Sequence, residues 1–273
     1  MFNSDLKKLK EKAIFVKKET LRLHSLAPGT RLASSLSPIE IFTVLYYGKV
    51  MKIDPKDTFA EHKDRFIISK AHGSISLFPI LADLGFIDRQ ELDKICQEGA
   101  LLGSIPDPKV PGYETINGSL GHGLGVACGI SIGLKEKRSK HHVFVLMGDG
   151  ELNEGSVWEA IMFAAEHELD NLILIIDANK ACMLDFCENI IRLEPLKDKF
   201  NIFGWDTAVV NGHKIEELHK ALLLVKKKKN KKPKVIIANT IKGKGVPRLE
   251  KDPLSHIRML EKDEIDALLS EME

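Results

Sequence analysis

The residues best suited to chemistry cluster in two short segments. Gly148-Asp149-Gly150-Glu151-Leu152-Asn153-Glu154-Gly155 follows directly on the apolar run Val143–Met147, and Asp177-Ala178-Asn179 follows the apolar run Leu172–Ile176. Asn179 lies thirty residues after Asp149, the span of one strand–helix–strand unit. Such crossovers are right-handed, and successive parallel strands then end on the same sheet edge. Asp149 and Asn179 are therefore expected to converge at the carboxyl ends of neighbouring strands, where open α/β sheets bind ligands. A carboxylate and an amide oxygen form a hard, all-oxygen pair. They suit Mg²⁺ or Ca²⁺ that keeps positions open for phosphate oxygens and water. Glycines on both sides of Asp149 let the backbone turn sharply and let a diphosphate approach without a side-chain clash.

The elements that must position these tips are legible in the pattern. Near-continuous apolar runs such as Val143–Met147 and Leu172–Ile176 imply strands buried on both faces, hence a parallel sheet covered by helices in a doubly wound α/β domain. Further strands are expected at 66–69, 205–210 and 235–240. Helical periodicity marks 6–26, 38–47, 74–84, 120–137, 153–167, 214–228 and 261–272. The Gly- and Pro-rich stretch 99–119 reads as a long loop, a length usually kept for function.

With 273 residues, 44% hydrophobic and 29% charged, the chain reads as a soluble globular protein able to bury a sizeable core. A net charge of +1 argues against a nucleic-acid binder. The basic run Lys226–Lys234 reads as a solvated helix end and loop. Four cysteines without CxxC spacing indicate neither a zinc site nor a disulfide framework, and Cys128 reads as a core residue. The N-terminal stretch is unlike a signal peptide and no run approaches a membrane span, so a cytoplasmic protein without membrane contact is expected.

Gly148–Ala160 together with Asp177–Asn179 resembles the thiamine-diphosphate motif of the transketolase family. Asp64–Ser74 resembles that family's DRF-x-x-SKGH segment, and Pro111–Gly129 its PGVE-x-x-TGSLGQGL segment. Asn211-Gly212-His213 resembles DGH, and Lys242–Val246 resembles KGKG. The likeness runs in order from about residue 19 to 256. It implies a three-layer αβα fold with a mainly parallel sheet, one thiamine-diphosphate-binding domain over 1–273, and an N-terminal helical extension over about 1–30. It further implies Mg²⁺ (or Ca²⁺) on Asp149, Asn179 and the Ala181 carbonyl, with His72, Gly150 and His256 against the diphosphate. Gly118 and Leu120 would lie at the aminopyrimidine, and Ser119, Gly148 and Glu151 join the cofactor-binding set. Glu154 matches a buried glutamate that links two active sites, and His72, Glu154 and Arg31 are the candidate catalytic residues. Ser255-His256-Ile257 stands where the family has WHG.

Full-length members of the family carry a pyrimidine-binding domain whose glutamate hydrogen-bonds the cofactor's N1′. The resemblance therefore implies a heterotetramer completed by a separate C-terminal partner subunit, acting on sugars or sugar phosphates. Three positions depart from the pattern. Arg31 and Ser104 replace histidines that touch the ketose donor, and His122 replaces a glutamine. An arginine offers a planar fork of donors suited to carboxylate or phosphate, so a donor or acceptor that carries a carboxylate, or else a modified sugar, is expected. Two other readings stand beside ketol transfer: a thiamine-dependent 2-oxo acid decarboxylase or acyl transferase subunit, and a non-catalytic regulatory subunit.

Overall fold

Five parallel strands form one sheet in the order β1-β2-β3-β5-β4: β1 Arg65–Ile68, β2 Val143–Gly148, β3 Leu172–Ala178, β4 Asp206–Asn211 and β5 Lys234–Asn239. The computed structural model describes residues 3–58 and 60–272. The period of two along each strand splits the apolar residues between two cores. Phe144, Leu146, Ile173, Ile175 and Ile236 face one side, and Val143, Val145, Leu172, Leu174 and Val235 the other.

On the first side lie α1 (Asn3–Leu26), α2 (Leu32–Leu36), α3 (Ile39–Tyr47) and α4 (Phe78–Asp83). On the second lie α5 (Gly123–Glu136) and α6 (Gly155–Glu166), followed by α7 (Cys187–Ile190) and α8 (Leu196–Ile202). The chain then returns to the first side with α9 (Ile215–Lys227) and ends with α10 (Pro247–Glu250) and α11 (Lys262–Ser270). Val16, Leu21 and Leu23 of α1 are fully buried beside Phe42 and Leu45 of α3. The N-terminal helix thus contributes to the core.

Several expected boundaries move toward the site. The helix expected over 74–84 is a 3-10 segment, Ala71–Leu77, that runs into α4, where Pro79 suits a helix start. The helix expected from 153 begins as a separate 3-10 turn, Asp149–Asn153, and Glu154 is extended before α6 starts. The helix expected from 120 starts at Gly123, because Gly121 sits at φ +86°. The basic run also needs correction. Lys234 is buried and donates to the Asp170 carbonyl, and Lys226 pairs with Asp64 at 2.7 Å, so the ends of the run are packed.

Candidate active site

Register brings the strand tips together. Gly148 of β2 pairs with Asp177 of β3, so Asp149 leaves the sheet beside Ala178 and Asn179. Lys180, at φ +63°, then turns the chain across this edge. The Lys180 N–H donates to Asp149 Oδ2 (2.6 Å) and the Gly150 N–H to Oδ1 (2.9 Å). Asn179 Oδ1 accepts from the Ala181 N–H at 3.2 Å. Asp149, Asn179 and Ala181, the expected metal set, therefore meet in one turn. Burial pushes the Asp149 carboxyl up to about 6, with the Asp177 charge adding to the effect against the two backbone donors.

A buried ion pair lies beneath this turn. Lys70 and Asp177, at 1% and 0% side-chain exposure, form a hydrogen-bonded pair. Asp177 also accepts from Ser37 Oγ (2.6 Å), Thr240 Oγ1 and the Asn179 amide (3.2 Å). Burial works to raise the Asp177 carboxyl, but the Lys70 ammonium and these hydroxyl donors outweigh it and hold the group below its ordinary range.

A second buried lysine closes the other wall. Lys242, just beyond β5, donates to the carbonyls of Ala181 (2.9 Å) and Cys182 (3.1 Å) and to His256 Nδ1 (3.1 Å). Burial and the Lys70 charge bring its ammonium down to about 8. The His72 ring lies edge-on to His256 with centroids 4.8 Å apart, and Ser34 Oγ is 3.4 Å from His256 Nδ1. Burial, followed by the charges of Lys70, Lys242 and Arg31, pushes both imidazoles down, His256 to about 3. Two neutral histidines and an unmatched ammonium make a surface short of negative charge. Arg31, half-buried just before α2, adds a guanidinium with no hydrogen-bond or ion-pair partner among the described residues.

Glu151 braces the floor of the site. Its Oε1 accepts from Ser69 Oγ and from the Gly121 N–H (2.9 Å), while buried Oε2 has no partner among the described residues. Gly150 is needed where it stands, because a Cβ there would lie 2.9 Å from Cys182 Sγ. A Cβ on Gly121 would lie 2.7 Å from Ser156 Oγ and 2.8 Å from Glu154 Cβ.

Other expected residues sit at the rim. Gly118 and Ser119 are exposed, and Leu120 and Gly148 are half-buried, Gly148 beside Lys70. Ser104 and His122 are exposed. Glu154, expected to be buried, is exposed at the cap of α6 without a side-chain capping bond, and no described element covers that corner. Lys70, Lys242, Ser34, Ser37 and Thr240 were not among the expected site residues. Lys70 and Lys242 nonetheless stand inside the Asp64–Ser74 and Lys242–Val246 motifs, each next to a strand end, and that placement was the available signal.

The donors fit a divalent ion only in company. Among the described residues no group of three or more His, Cys, Asp or Glu side chains is placed to hold a metal. One carboxylate, one amide and one main-chain oxygen carry too little charge to bind Mg²⁺ alone, and phosphate oxygens would have to complete the shell. The raised Asp149 carboxyl and the orphaned Glu151 oxygen fit the arrival of a cation and a hydrogen-bonding ligand. A cavity of about 380 Å³ opens alongside, lined in part by Asn179, Ala181, Thr240 and Lys242.

Fold and site together define an α/β protein whose polar residues gather at the carboxyl edge of a parallel sheet. Residues 22–272 match the family model described as transketolase, thiamine diphosphate binding domain. The chain belongs to the transketolase family, and like its relatives it is a transferase. It is 37% identical to the A subunit of the apulose-4-phosphate transketolase of Actinobacillus succinogenes, over 99% of this chain and 98% of that protein. It is 35% identical to the 6-deoxy-6-sulfo-D-fructose transketolase subunit SqwG of a Clostridium species, over 97% of this chain and 96% of that one. The crystal structure of Campylobacter jejuni transketolase superposes with a TM-score of 0.89 at 29% identity. It covers 100% of this chain, which spans 43% of that one.

Proposed function

We propose that this chain is the thiamine-diphosphate-binding half of a two-subunit enzyme that transfers a two-carbon ketol unit between sugars or sugar phosphates. The observation that carries the reading is the charge imbalance at the carboxyl edge. Among the described residues Lys242 and Arg31 form no ion pair there, and two histidines are held neutral. A diphosphate supplies the missing charge, and Asp149, Asn179 and the Ala181 carbonyl would share its Mg²⁺. For that, Lys242 must release the Ala181 carbonyl it now holds at 2.9 Å, freeing its ammonium for a phosphate oxygen.

Bound thiamine diphosphate would supply the carbanion chemistry, while the protein supplies orientation and charge. His72 and His256, as neutral rings, each have one N–H to give. The Lys242 ammonium donates to His256 Nδ1, which leaves the Nε2 proton to face the ligand. Glu151 holds the Gly121 backbone in place, and with it the Gly118–Leu120 segment at the expected ring site.

The finer assignments rest on these positions and on the relatives. The two relatives named above act on apulose 4-phosphate and 6-deoxy-6-sulfo-D-fructose by name, both modified sugars. Arg31 at the mouth of the site suits an anionic or altered sugar here as well. The relatives' designation as subunits supports a separate partner chain bringing the pyrimidine-binding domain. The exposed Ile105 and Ile116 of the long loop offer it apolar surface. Val126, Met162 and Phe163 are exposed on α5 and α6, which supports pairing of two copies into a heterotetramer. No helix among the described residues is long and apolar enough to cross a membrane.

The test is calorimetric titration of the chain with its partner, using thiamine diphosphate with and without Mg²⁺, followed by donor assays. Metal-dependent binding and ketol transfer are expected. Absence of metal-dependent heat would favour a regulatory subunit, and CO₂ release from pyruvate would favour a 2-oxo acid enzyme. Efficient use of xylulose 5-phosphate would remove the case for an unusual donor.

A further inference from the structure

Two cysteines lie in the short hairpin that begins at Ala181, and the cofactor reading makes no use of their thiols. After Lys180 the chain folds back on itself, with Ala181 and Phe186 forming an antiparallel bridge. The Cys182 N–H donates to the Asp185 carbonyl and the Cys187 N–H to the Lys180 carbonyl, both at 2.9 Å. This miniature hairpin brings Cys182 Sγ to 3.1 Å from Cys187 Sγ. Both thiols are free; Cys182 is half-buried and Cys187 buried, and Met183 and Leu184 are exposed at the tip. On its inner side Cys182 borders Gly150, and its carbonyl, like that of Ala181, accepts from Lys242.

We propose that Cys182 and Cys187 are a reversible disulfide site, closed by a peroxide, whose closure distorts the turn that holds the Ala181 carbonyl. Cys182 is the thiol that solvent reaches. Its sulfur takes one oxygen as the peroxide O–O bond breaks, giving a sulfenic acid and one water from hydrogen peroxide. The Cys187 sulfur then attacks the Cys182 sulfur, the S–O bond breaks, and the departing hydroxide leaves as a second water with the Cys187 proton. Two thiols are oxidised and one peroxide is reduced, so no further reagent is needed.

Closure shortens the sulfur–sulfur separation from 3.1 Å to about 2.05 Å. The displacement falls on Cys182, whose main chain carries one of the two carbonyls bound to Lys242 and whose sulfur borders Gly150. Geometry around a bound metal is sensitive to such support, and its loss typically weakens binding about 10- to 100-fold. This consequence rests on the cofactor reading, whereas formation of the disulfide does not.

Trypsin cleavage after Lys180 and Arg192 releases both cysteines in one peptide, residues 181–192. After treatment of the full chain with hydrogen peroxide, that peptide should lose the mass of two hydrogens and regain it with dithiothreitol. The Cys187→Ser variant should show no such loss. In the complex with its partner, the oxidised wild-type chain should bind Mg²⁺–thiamine diphosphate about tenfold more weakly than the reduced chain. A peptide that keeps both thiols, or acquires only sulfinic or sulfonic acid, overturns the proposal, as does a disulfide that leaves cofactor affinity unchanged. The mass reading decides disulfide formation whether or not the cofactor binds. Failure of the reduced complex to bind the cofactor would count instead against the proposed function.

Discussion

The two ends of the sheet handle the same residue types in opposite ways. At the amino edge, Lys226 pairs with Asp64 at 2.7 Å, and Asp64 also accepts from the backbone N–H groups of Lys52 and His142, each at 2.8 Å. Burial works to raise the Asp64 carboxyl, but hydrogen bonds from His142, Lys226 and Lys52 hold it far below its ordinary range. Lys234, buried nearby, is satisfied by the Asp170 carbonyl. At the carboxyl edge the Lys70–Asp177 pair is matched in the same manner, but the layer above it is not. There the Asp149 carboxyl is raised, the Lys242 ammonium lowered, and the Arg31 guanidinium without a partner among the described residues. Matched charge holds a fold together; charge left unmatched at a strand edge is a disposition to bind something.

This contrast can be broken by substitution. The largest effect should come from Asp177→Asn, which leaves the buried Lys70 ammonium without its counter-ion. Urea unfolding is expected to show a loss of about 3–5 kcal/mol. A loss below about 1 kcal/mol would mean that the pair is not a structural anchor.

Asp149→Asn should act in the opposite direction on stability. The folded carboxyl titrates at about 6 against an ordinary 3.8. The stability this group contributes is therefore full below about pH 4 and is lost as pH rises through about 6. At ~1.4 kcal/mol per pH unit, the ionised group costs about 3 kcal/mol at neutral pH in the absence of a cation. The variant is expected to gain up to about that amount at pH 7 and to flatten the stability profile between pH 4 and 6. Mg²⁺-dependent cofactor binding should disappear. A variant less stable than the wild type at pH 7 would contradict the view of Asp149 as a carboxylate awaiting a cation.

The smallest effects belong to the amino edge. Lys226→Met leaves Asp64 short of one partner and should cost about 1–3 kcal/mol, read by urea unfolding. Cofactor affinity, read by calorimetry, should be unchanged. A matched fall in affinity would show that the two ends of the sheet are coupled.

Much of this arrangement was legible in the residue order, and the exceptions have physical causes. Runs such as Leu172–Ile176 announce strands covered on both faces, and parallel pairing places Asp149 beside Asn179 as their spacing required. Helix starts were harder to read. Gly121 at positive φ delays α5, and the 3-10 turns Ala71–Leu77 and Asp149–Asn153 precede α4 and α6. Apolar periodicity over a dozen residues does not resolve a single tight turn.

The sequence by itself determined the layered parallel fold and the meeting of two oxygen-bearing side chains at the strand tips, because both follow from local pattern and from the handedness of the crossover. Tertiary packing decided which charges are matched. It buried Lys70 and Lys242, whose residue type alone gives no sign of burial, left Glu154 uncovered, and placed Cys182 against Cys187. Those outcomes depend on which distant segments come within a few ångströms, and desolvation and pairing energies are set only at that range.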